Sequence, residues 1–264
     1  MKEHNKYYWD NKNGRAKLAK EHTEEMAKKY KKEIDACVKE TKIYTMSSLQ
    51  KELAEPKIGM LKMRVVEMDS VSGAFQSCDG RTAILNFASY KFPGGGFLAG
   101  SRAQEECLCH ESFLYNVLKE FEESYYEKNR GELNRALYKH KALYSPNVVF
   151  EHNNEICSFD VITCASPNFS TAEKFVTREE NNKVMRQRIR FVLEIAKKNN
   201  VDTLVLGAWG CGVFRQDPEF VAKCFAEECK SVLGDVEMNV VFAVIPPLPN
   251  QTDNCTPFKR EIEK

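Results

Sequence analysis

The stretch NFASYKFPGGGFLAGSRAQEE, residues Asn86–Glu106, begins where an apolar run ends and closes where a helical pattern begins. Its centre is a run of three glycines: Gly94, Gly95 and Gly96. Three glycines in a row remove every Cβ from a short loop, so backbone amides can approach an anion closely. The stretch therefore predicts a strand, an anion-binding loop and a helix in succession. A plain turn between a strand and a helix has the same composition, so the glycines alone do not decide between the two.

Two adjacent carboxylates follow the glycines at the start of the predicted helix. Ser101 and Gln104 fit the capping-box pattern, with Ser101 as the N-cap and Gln104 three residues later. Glu105 and Glu106 then lie near the first turn, within one loop of the predicted anion site. Acidic residues are common in first turns because the helix dipole favours them. The glycine triplet, seven further residues and Gln-Glu-Glu together form a much more specific pattern than either half.

A second glycine-rich loop follows another apolar run, Thr203–Leu206. Its residues are Gly207, Ala208, Trp209, Gly210, Cys211, Gly212, Val213 and Phe214. The three glycines would free backbone amides for the other face of a diphosphate. The alternative is a tight strand-to-helix turn with Trp209 and Phe214 in the core. Considered alone, this loop fits both interpretations equally well.

Apolar runs of strand length alternate with helical patterns along most of the chain. The patterns predict strands at residues 62–67, 82–87, 144–150, 159–165, 203–206 and 237–245, and helices at 15–36, 107–121, 183–199 and 218–232. We expect an edge strand at 144–150, a central strand at 159–165 and a charged surface segment at 119–134. The alternation predicts an α/β fold with a substantially parallel sheet. Ligands bind beyond the carboxyl ends of such strands, where both glycine loops lie.

The composition argues against several classes of partner. The chain has 39 Lys and Arg residues against 38 Asp and Glu residues, a formal net charge of +1. No overall field draws it to nucleic acid or to an anionic membrane, so we expect neither direct DNA binding nor membrane binding. The ten cysteines include no C-x-x-C pair, and the first residues are too polar for a secretory signal. We therefore expect reduced thiols, a cytoplasmic location and no metal site.

Competing nucleotide and catalytic motifs fit poorly. A P-loop needs Gly-Lys-Ser/Thr, and GGGFLAGS has no lysine. A dinucleotide fingerprint needs G-x-G-x-x-G, but Gly94, Gly96 and Gly100 are spaced one residue too long. None of the five histidines stands in a metal-ligand pattern. Phosphoryl transfer, hydride transfer and metal-dependent hydrolysis lose support, and we expect no cofactor.

The motif GGG-x7-QEE resembles the signature of the poly(ADP-ribose) glycohydrolases in their compact bacterial form. LNFAS before it, C-x-C-x-E-S-x-L-Y after it (Cys107–Tyr115) and LGAWGCGVF (Leu206–Phe214) resemble that family as well. The resemblance implies a macrodomain-like three-layer α/β/α sandwich with a mixed, largely parallel sheet. It also implies ADP-ribose binding and hydrolysis of the ribose–ribose bonds of poly(ADP-ribose). We expect residues 61–264 to form the catalytic domain and residues 1–60 a helical extension packed on it.

The resemblance assigns roles to the two carboxylates. Glu106 matches the family's catalytic residue, which would protonate the leaving ribose oxygen and then deprotonate the attacking water. Cleavage of an O-glycosidic bond requires both steps. Glu105 would hold a ribose hydroxyl or orient the substrate. The diphosphate would lie on the glycine loops, where it could stabilise the oxocarbenium-like transition state.

Further ligand contacts follow from position in the motifs. Asn86 and Ser89 are candidates for the terminal ribose, Phe214 would pack against a ribose, and Gln104 belongs with the ligand-binding set. Asp69 lies just after the strand at 62–67 and is the candidate for the adenine amino group. An Asp before a helix is also an ordinary N-cap, so this assignment has an alternative.

The substrate would be poly(ADP-ribose) or ADP-ribosylated proteins, and ADP-ribose would be the product. Other functions remain open at this point. A non-catalytic reader could bind ADP-ribose with the same loops, and a hydrolase could instead remove single ADP-ribose units from proteins. The paired glutamates favour an enzyme, because a reader needs no carboxylate at a scissile bond. An unrelated nucleotide-metabolising enzyme is disfavoured by the missing lysine and metal motifs.

Overall fold

A computed structural model describes residues 11–49, 59–247 and 252–264. Two helices cover the region of the helix predicted at 15–36: α1 (Lys12–Lys29) and α2 (Lys31–Glu40). Strand β1 (Lys42–Thr45) and the one-turn helix α3 (Met46–Leu49) follow. The apolar stripe of α1 and α2 packs inward, with Met26 and Ile34 buried.

The remaining strands agree closely with the sequence pattern. They are β2 (Leu61–Val66), β3 (Thr82–Phe87), β4 (Lys141–His152), β5 (Glu155–Cys164), β6 (Thr203–Leu206) and β7 (Met238–Ala243). The remaining helices are α4 (Ser70–Ser77), α5 (Gln104–His110), α6 (Leu114–Leu118), α7 (Glu127–Arg130), α8 (Phe169–Ala172), α9 (Arg178–Lys198), α10 (Pro218–Leu233) and α11 (Cys255–Ile262). No helix within the described ranges is long and apolar enough to cross a membrane.

The seven strands form one sheet in the order β1-β4-β5-β3-β6-β7-β2. Strand β3 pairs in parallel with β5 and β6, and β7 pairs in parallel with β6 and β2. Strand β4 is antiparallel to both of its neighbours, β1 and β5. Residues 82–86 of β3 and all of β6 are buried, as expected for parallel strands covered on both faces. The predicted mixed, largely parallel sheet is confirmed.

Helices cover both faces of the sheet. Helices α9, α10 and α11 pack on one face and bury a cluster that includes Phe191, Phe225 and Phe258. Helices α1, α2, α4, α5 and α6 pack on the other face around a second apolar cluster. The predicted three-layer α/β/α sandwich is confirmed. The domain boundary expected at residue 60 stays a prediction, and β1, on its N-terminal side, is hydrogen-bonded into the sheet.

Two sequence expectations are wrong, and a third holds for most of its range. The helix predicted at 107–121 is interrupted, because Ser112 forms a bridge with Phe150 and its hydroxyl donates to the carbonyl of Leu108. The edge strand predicted at 144–150 agrees with the structure beyond Tyr144, because β1 pairs only with residues 141–144 of β4. The charged segment 119–134 is not simply surface, since Tyr125 and Tyr126 are buried within it. Helices α8 and α11 gave no clear sequence signal.

Candidate active site

The helix that carries the two carboxylates begins at Gln104, with Ala103 as its N-cap. The prediction of Ser101 as the cap is therefore wrong by two residues. The reciprocal half of a capping box does form, but through a glutamate: the Ala103 N–H donates to Glu106 Oε2 at 2.8 Å. The helix start thus orients Glu106 directly.

Glu106 is held from two sides. While Oε2 accepts from Ala103, Oε1 accepts from the N–H of Gly96 at 2.8 Å. The side chain is 6% exposed and lies in the wall of a cavity of about 1040 Å³. Two backbone donors fix the carboxylate at a cavity wall, the arrangement that a preorganised acid or base requires.

Glu105 is buried beside it, with 3% of its surface exposed. Its Oε2 accepts from the Ser89 N–H at 2.7 Å, and its Oε1 accepts from the Asn86 side-chain amide at 3.2 Å. Burial raises the pKa of Glu105 to about 8, the negative charge of Glu106 adds to the rise, and the hydrogen bonds from Ser89 and Asn86 oppose it. Glu105 is therefore mostly protonated at neutral pH.

The first glycine loop, residues 94–96, closes on these carboxylates. Gly95 has a positive φ of 60°, and a Cβ on it would lie 2.7 Å from Glu106 Oε1 and 2.8 Å from Glu105 Oε2. The N–H of Gly95 donates to the carbonyl of Phe92 at 3.1 Å, and the N–H of Gly96 donates to Glu106. The backbone N–H of Gly94 is hydrogen-bonded to the Glu105 carboxyl group. All three amides expected to receive an anion are thus engaged inside the protein. In this loop the missing Cβ atoms make room for the carboxylates.

The second glycine loop, residues 207–214, packs closely at its start and is open at its end. A Cβ on Gly207 would lie 2.5 Å from the carbonyl oxygen of Ala243. Gly210 has a φ of +79°, and a Cβ there would lie 2.5 Å from Ser166 Oγ. Apart from its two neighbours in the chain, no described residue has an atom within 4 Å of the position that a Cβ on Gly212 would take. Trp209 is buried, as the tight-turn interpretation requires, but Phe214 is only half-buried and lines the cavity, so both interpretations of this loop hold in part.

Three backbone donors of the second loop have no hydrogen-bond partner among the described residues. The N–H groups of Gly212, Val213 and Phe214 make no hydrogen bond with any described residue, and all three residues line the cavity. Successive free N–H groups form an anion-binding concavity. The free amides of the second loop are therefore better placed to receive an anion than those of the glycine triplet, which are engaged within the protein.

The cavity has a volume of about 1040 Å³, enough for a dinucleotide-sized ligand. Most of the predicted site residues line it: Asp69, Ser89, Gly95, Gly96, Gln104, Glu105, Glu106, Ala208, Gly210, Gly212, Val213 and Phe214. Four others lie behind the wall: Asn86, Gly94, Gly207 and Cys211. Asn86 is fully buried and contacts Glu105, so it reaches the cavity only through that carboxyl group.

Gln104 and Asp69 make several hydrogen bonds inside the protein. The Gln104 amide accepts from the Phe87 N–H at 2.8 Å and donates to the carbonyl of Leu85 at 2.9 Å, which joins the start of α5 to the end of β3. Asp69 Oδ1 caps α4 by accepting from the N–H groups of Val71 and Ser72. The N-cap role of Asp69 is thus present, and its position in the cavity wall leaves the adenine assignment as a prediction.

Tyr138 lines the cavity, although its sequence gave no signal. It stacks on Tyr90 with 4.2 Å between ring centres, and its ring centre lies 6.4 Å from that of Phe214. Its backbone has a φ of +61°, which costs a non-glycine residue about 1–2 kcal/mol. The buried Arg188 holds this conformation by donating to the carbonyls of Leu137 and Tyr138 at 3.1 and 3.2 Å. Arg188 stands one turn after Met185 on the apolar stripe of α9. A charged residue on an apolar stripe is a sequence signal that could have pointed to this buried arginine.

Candidate metal ligands do not cluster in the described ranges, where no three His, Cys, Asp or Glu side chains are placed to share an ion. The chemically active groups of the cavity are the two carboxyls and the free amides of the second loop. Together they can position an anion and transfer protons beside it.

A family model described as "Microbial-type PARG, catalytic domain" matches residues 11–153. A search of curated proteins found no match. Among solved structures, the poly(ADP-ribose) glycohydrolase (PARG) of Deinococcus radiodurans in complex with ADP-ribose is 33% identical. That match covers 87% of this chain and 97% of the other, with a TM-score of 0.77.

A PARG from Thermomonospora curvata is similar over a larger part of the chain. It is 29% identical, and the match covers 94% of this chain and 99% of the other, with a TM-score of 0.82. The same enzyme bound to the inhibitor ADP-HPD is 28% identical over the same shares, with a TM-score of 0.80. With its family match, its three-layer fold and its buried pair of carboxyls, the chain belongs to the microbial-type poly(ADP-ribose) glycohydrolases.

Proposed function

We propose that the enzyme hydrolyses the ribose–ribose bonds of poly(ADP-ribose), releasing ADP-ribose, with Glu106 as both general acid and general base. One observation carries this assignment. Glu106 stands at the cavity wall with each carboxylate oxygen oriented by a separate backbone N–H, whereas Glu105 is tied to Asn86 and Ser89. Fixed orientation at the cavity is what proton transfer to and from a bound substrate needs.

The proposed pose places one ADP-ribose unit along the cavity. The adenine lies near Asp69, and the diphosphate accepts from the free N–H groups of Gly212, Val213 and Phe214. The terminal ribose then lies between the carboxyls and the aromatic wall of Tyr138 and Phe214. The cavity volume and the positions of these residues in its wall support this order.

The chemistry proceeds by proton transfer at one carboxyl group. The first step requires a proton on Glu106, which passes to the leaving ribose oxygen as the glycosidic bond breaks and positive charge develops on the terminal ribose. The resulting carboxylate takes a proton from a water molecule, whose oxygen bonds to the anomeric carbon. The diphosphate on the second loop lies on the same unit and stabilises the cationic transition state.

Glu105 acts as a neutral positioning group in this proposal. Because burial raises its pKa to about 8, it has a proton to donate to a substrate hydroxyl at neutral pH. A neutral Glu105 also avoids a second negative charge beside Glu106. Asn86 and Ser89 fix its orientation, which gives them an indirect part in binding the terminal ribose.

We also propose that the enzyme acts in the cytoplasm on polymer-modified proteins. All ten cysteines are free thiols, including pairs of neighbours in the chain such as Cys107 and Cys109. Free thiols in this number suit a reducing compartment. ADP-ribosylated proteins carry the polymer as a covalent modification, so they are the expected source of substrate.

The test follows release of ADP-ribose from poly(ADP-ribose) by the wild type, by Glu106→Gln and by the exposed control Glu120→Gln. We expect Glu106→Gln to lose about 10²–10⁴-fold in kcat and to retain ADP-ribose binding, with the control unchanged. If the wild type binds ADP-ribose but releases none from the polymer, the protein is a non-catalytic reader. Release only from singly modified proteins would leave a mono-ADP-ribosyl hydrolase, and full activity of Glu106→Gln would remove the glutamate from its role.

A further inference from the structure

An aromatic ring with two cations beside it stands at one rim of the cavity. We call Lys91, Phe92 and Arg130 the aromatic rim. Phe92 is 50% exposed, the Arg130 guanidinium lies 5.7 Å from its ring centre, and the Lys91 ammonium lies 5.9 Å from it. Lys91 and Phe92 also line the cavity. The mechanism of the previous section uses none of these side chains.

The rim is joined directly to the reacting end of the cavity. Ser89 donates its N–H to Glu105, and its hydroxyl oxygen accepts from the N–H groups of Lys91 and Phe92 at 3.3 and 3.2 Å. The carbonyl of Phe92 accepts from Gly95, the residue against which both carboxyls pack. The aromatic rim is therefore linked to the carboxyl groups through the hydrogen bonds of Ser89 and Gly95.

Two features fix the shape of the rim. Pro93 follows Phe92 and restricts its backbone to extended conformations. Arg130 donates to the carbonyl of Lys91 at 2.9 Å and pairs with Glu122 at 2.6 Å, so it acts mainly as a brace. Lys91 is exposed and forms no ion pair with any described residue, which leaves its charge for a ligand.

The substrate presents a matching chemistry at this end. The leaving oxygen belongs to the adenosine ribose of the next ADP-ribose unit, so an adenine is attached to the sugar that departs. A diphosphate follows on the same unit. An aromatic face stacks with a base irrespective of sequence, and a lysine attracts the phosphates.

We propose that the aromatic rim is a binding subsite for the next ADP-ribose unit, the one that leaves, with Phe92 stacking on its adenine and Lys91 facing its diphosphate. The proposal rests on the proposed function, since it assumes that the terminal unit fills the cavity. It gives the enzyme a preference for polymer over a single ADP-ribose unit. The chain as a whole has a net charge of only +1, so local attraction of this kind is what a polyanionic substrate requires.

The chain offers a matched control for an exposed Lys-Phe pair. Lys174 and Phe175 have the same sequence, and Phe175 is 59% exposed. Neither residue lines the cavity, and no cation of the described ranges lies over the Phe175 ring. Single exposed aromatics are ordinary on protein surfaces, so this pair measures what exposure alone contributes.

The experiment compares the affinity for an ADP-ribose dimer with that for free ADP-ribose, in the Glu106→Gln background so that the dimer survives. We expect the dimer to bind more tightly, and we expect Phe92→Ala or Lys91→Glu to weaken dimer binding by about five- to tenfold. ADP-ribose binding should stay within about twofold, since that ligand does not reach the rim. Phe175→Ala and Lys174→Glu should change neither affinity, and thermal unfolding checks that each variant is folded.

The outcomes separate the two proposals. Equal affinities for dimer and monomer, or dimer binding unaffected by the rim variants, overturn the subsite. Equal weakening of both ligands also overturns it, because the residues would then belong to the site of the terminal unit. Failure of the wild type to release ADP-ribose overturns the proposed function, whereas dimer binding in this assay is measured independently of turnover.

Discussion

The two glycine loops lie at the carboxyl ends of the neighbouring strands β3 and β6, yet they use their glycines for different purposes. In the first loop, Gly95 and Gly96 close on the carboxyl groups, and their N–H groups are engaged within the protein. In the second loop, Gly207 and Gly210 pack against other segments of the same chain. The N–H groups of residues 212–214 have no partner among the described residues. One loop holds the chemistry, and the other is equipped to hold the anion.

The comparison teaches that a glycine run cannot be equated with a phosphate cradle. Removal of Cβ allows a close approach of any group, and in the first loop that group is a carboxylate of the same chain. The two loops should therefore separate under mutation. Substitutions in the first loop should reduce turnover. Substitutions in the second loop should reduce the free energy of unfolding or the anion affinity.

Gly95→Ala should have the largest effect on the comparison. Its methyl group would displace both carboxyls, and the positive φ would add strain of about 1–2 kcal/mol. A displacement of about 1 Å at reacting groups costs on the order of 10²-fold in rate. We expect kcat to fall by about that factor while the affinity for ADP, which lacks the terminal ribose, stays near that of the wild type. Steady-state kinetics and calorimetric titration with ADP measure the two quantities.

A parallel loss of ADP affinity in Gly95→Ala would show that the first loop also holds the diphosphate. That result would return the anion site to the glycine triplet and remove the distinction between the loops.

Glu105→Gln should change how stability depends on pH. The pKa of Glu105 is about 8 in the folded chain against 4.5 for an ordinary glutamate, so folding stabilises its protonated form. Its contribution to stability is complete below pH 4.5 and is lost as pH rises towards 8, by up to about 5 kcal/mol at 1.36 kcal/mol per pKa unit. Wild type should therefore lose stability relative to Glu105→Gln between pH 5 and pH 8.

Thermal unfolding of both proteins across that pH range is the measurement. Melting temperatures that run parallel for the two chains would contradict a proton on buried Glu105.

Gly210→Ala tests packing in the second loop. A methyl group there would meet Ser166 Oγ at 2.5 Å in a backbone conformation with φ of +79°. We expect a loss of about 1–3 kcal/mol in the free energy of unfolding, the usual range for overpacking. Denaturant unfolding measures it, and the double variant Gly210→Ala with Ser166→Gly should recover the part that is due to the clash. No recovery would assign the loss to backbone strain and to the remaining contact of the methyl group with Gln216 Cγ at 2.8 Å.

Gly212→Ala should have the smallest effect on stability, and it should separate stability from ADP affinity most clearly. Apart from its two neighbours in the chain, no described residue has an atom within 4 Å of the new methyl group, so stability should stay within about 0.5 kcal/mol of the wild type. The methyl group would project beside the free amides, so ADP affinity should fall a few-fold, about 1 kcal/mol. Unchanged ADP affinity would place the diphosphate away from these amides.

Much of this architecture could be predicted from the sequence, because its signals are local. The apolar runs gave β3, β5 and β6, and the glycine triplet followed by Gln-Glu-Glu brought two carboxyls to the end of β3. Interactions between distant segments were out of reach. Ser112 interrupts a helical pattern by pairing with Phe150, and β1 covers the start of β4 from a segment with an ambiguous sequence.

The candidate site shows the same limit. The sequence identified both carboxyl groups and both loops. It could not show which backbone amides are hydrogen-bonded within the protein, because that depends on the side chains that pack against them. Tyr138 was missed since its left-handed backbone is maintained by Arg188, 50 residues further along the chain. Asn254 lines the cavity just before α11, a helix of only 8 residues that was not predicted from the sequence.

Helix α1 packs, outside the site, on the turn at Gly100 that follows the first glycine loop. Arg15 donates to the carbonyl of Gly100 at 2.8 Å, and Gly100 packs so closely on the backbone of Lys12 that any side chain there would collide with it. A shortened version of the enzyme that starts at residue 61 would lose this contact and would expose the edge of β4 to pairing with other chains. Such a fragment should aggregate when it is expressed. A minimal version for engineering therefore has to keep the N-terminal helices α1 and α2, although these helices contribute no residue to the cavity wall.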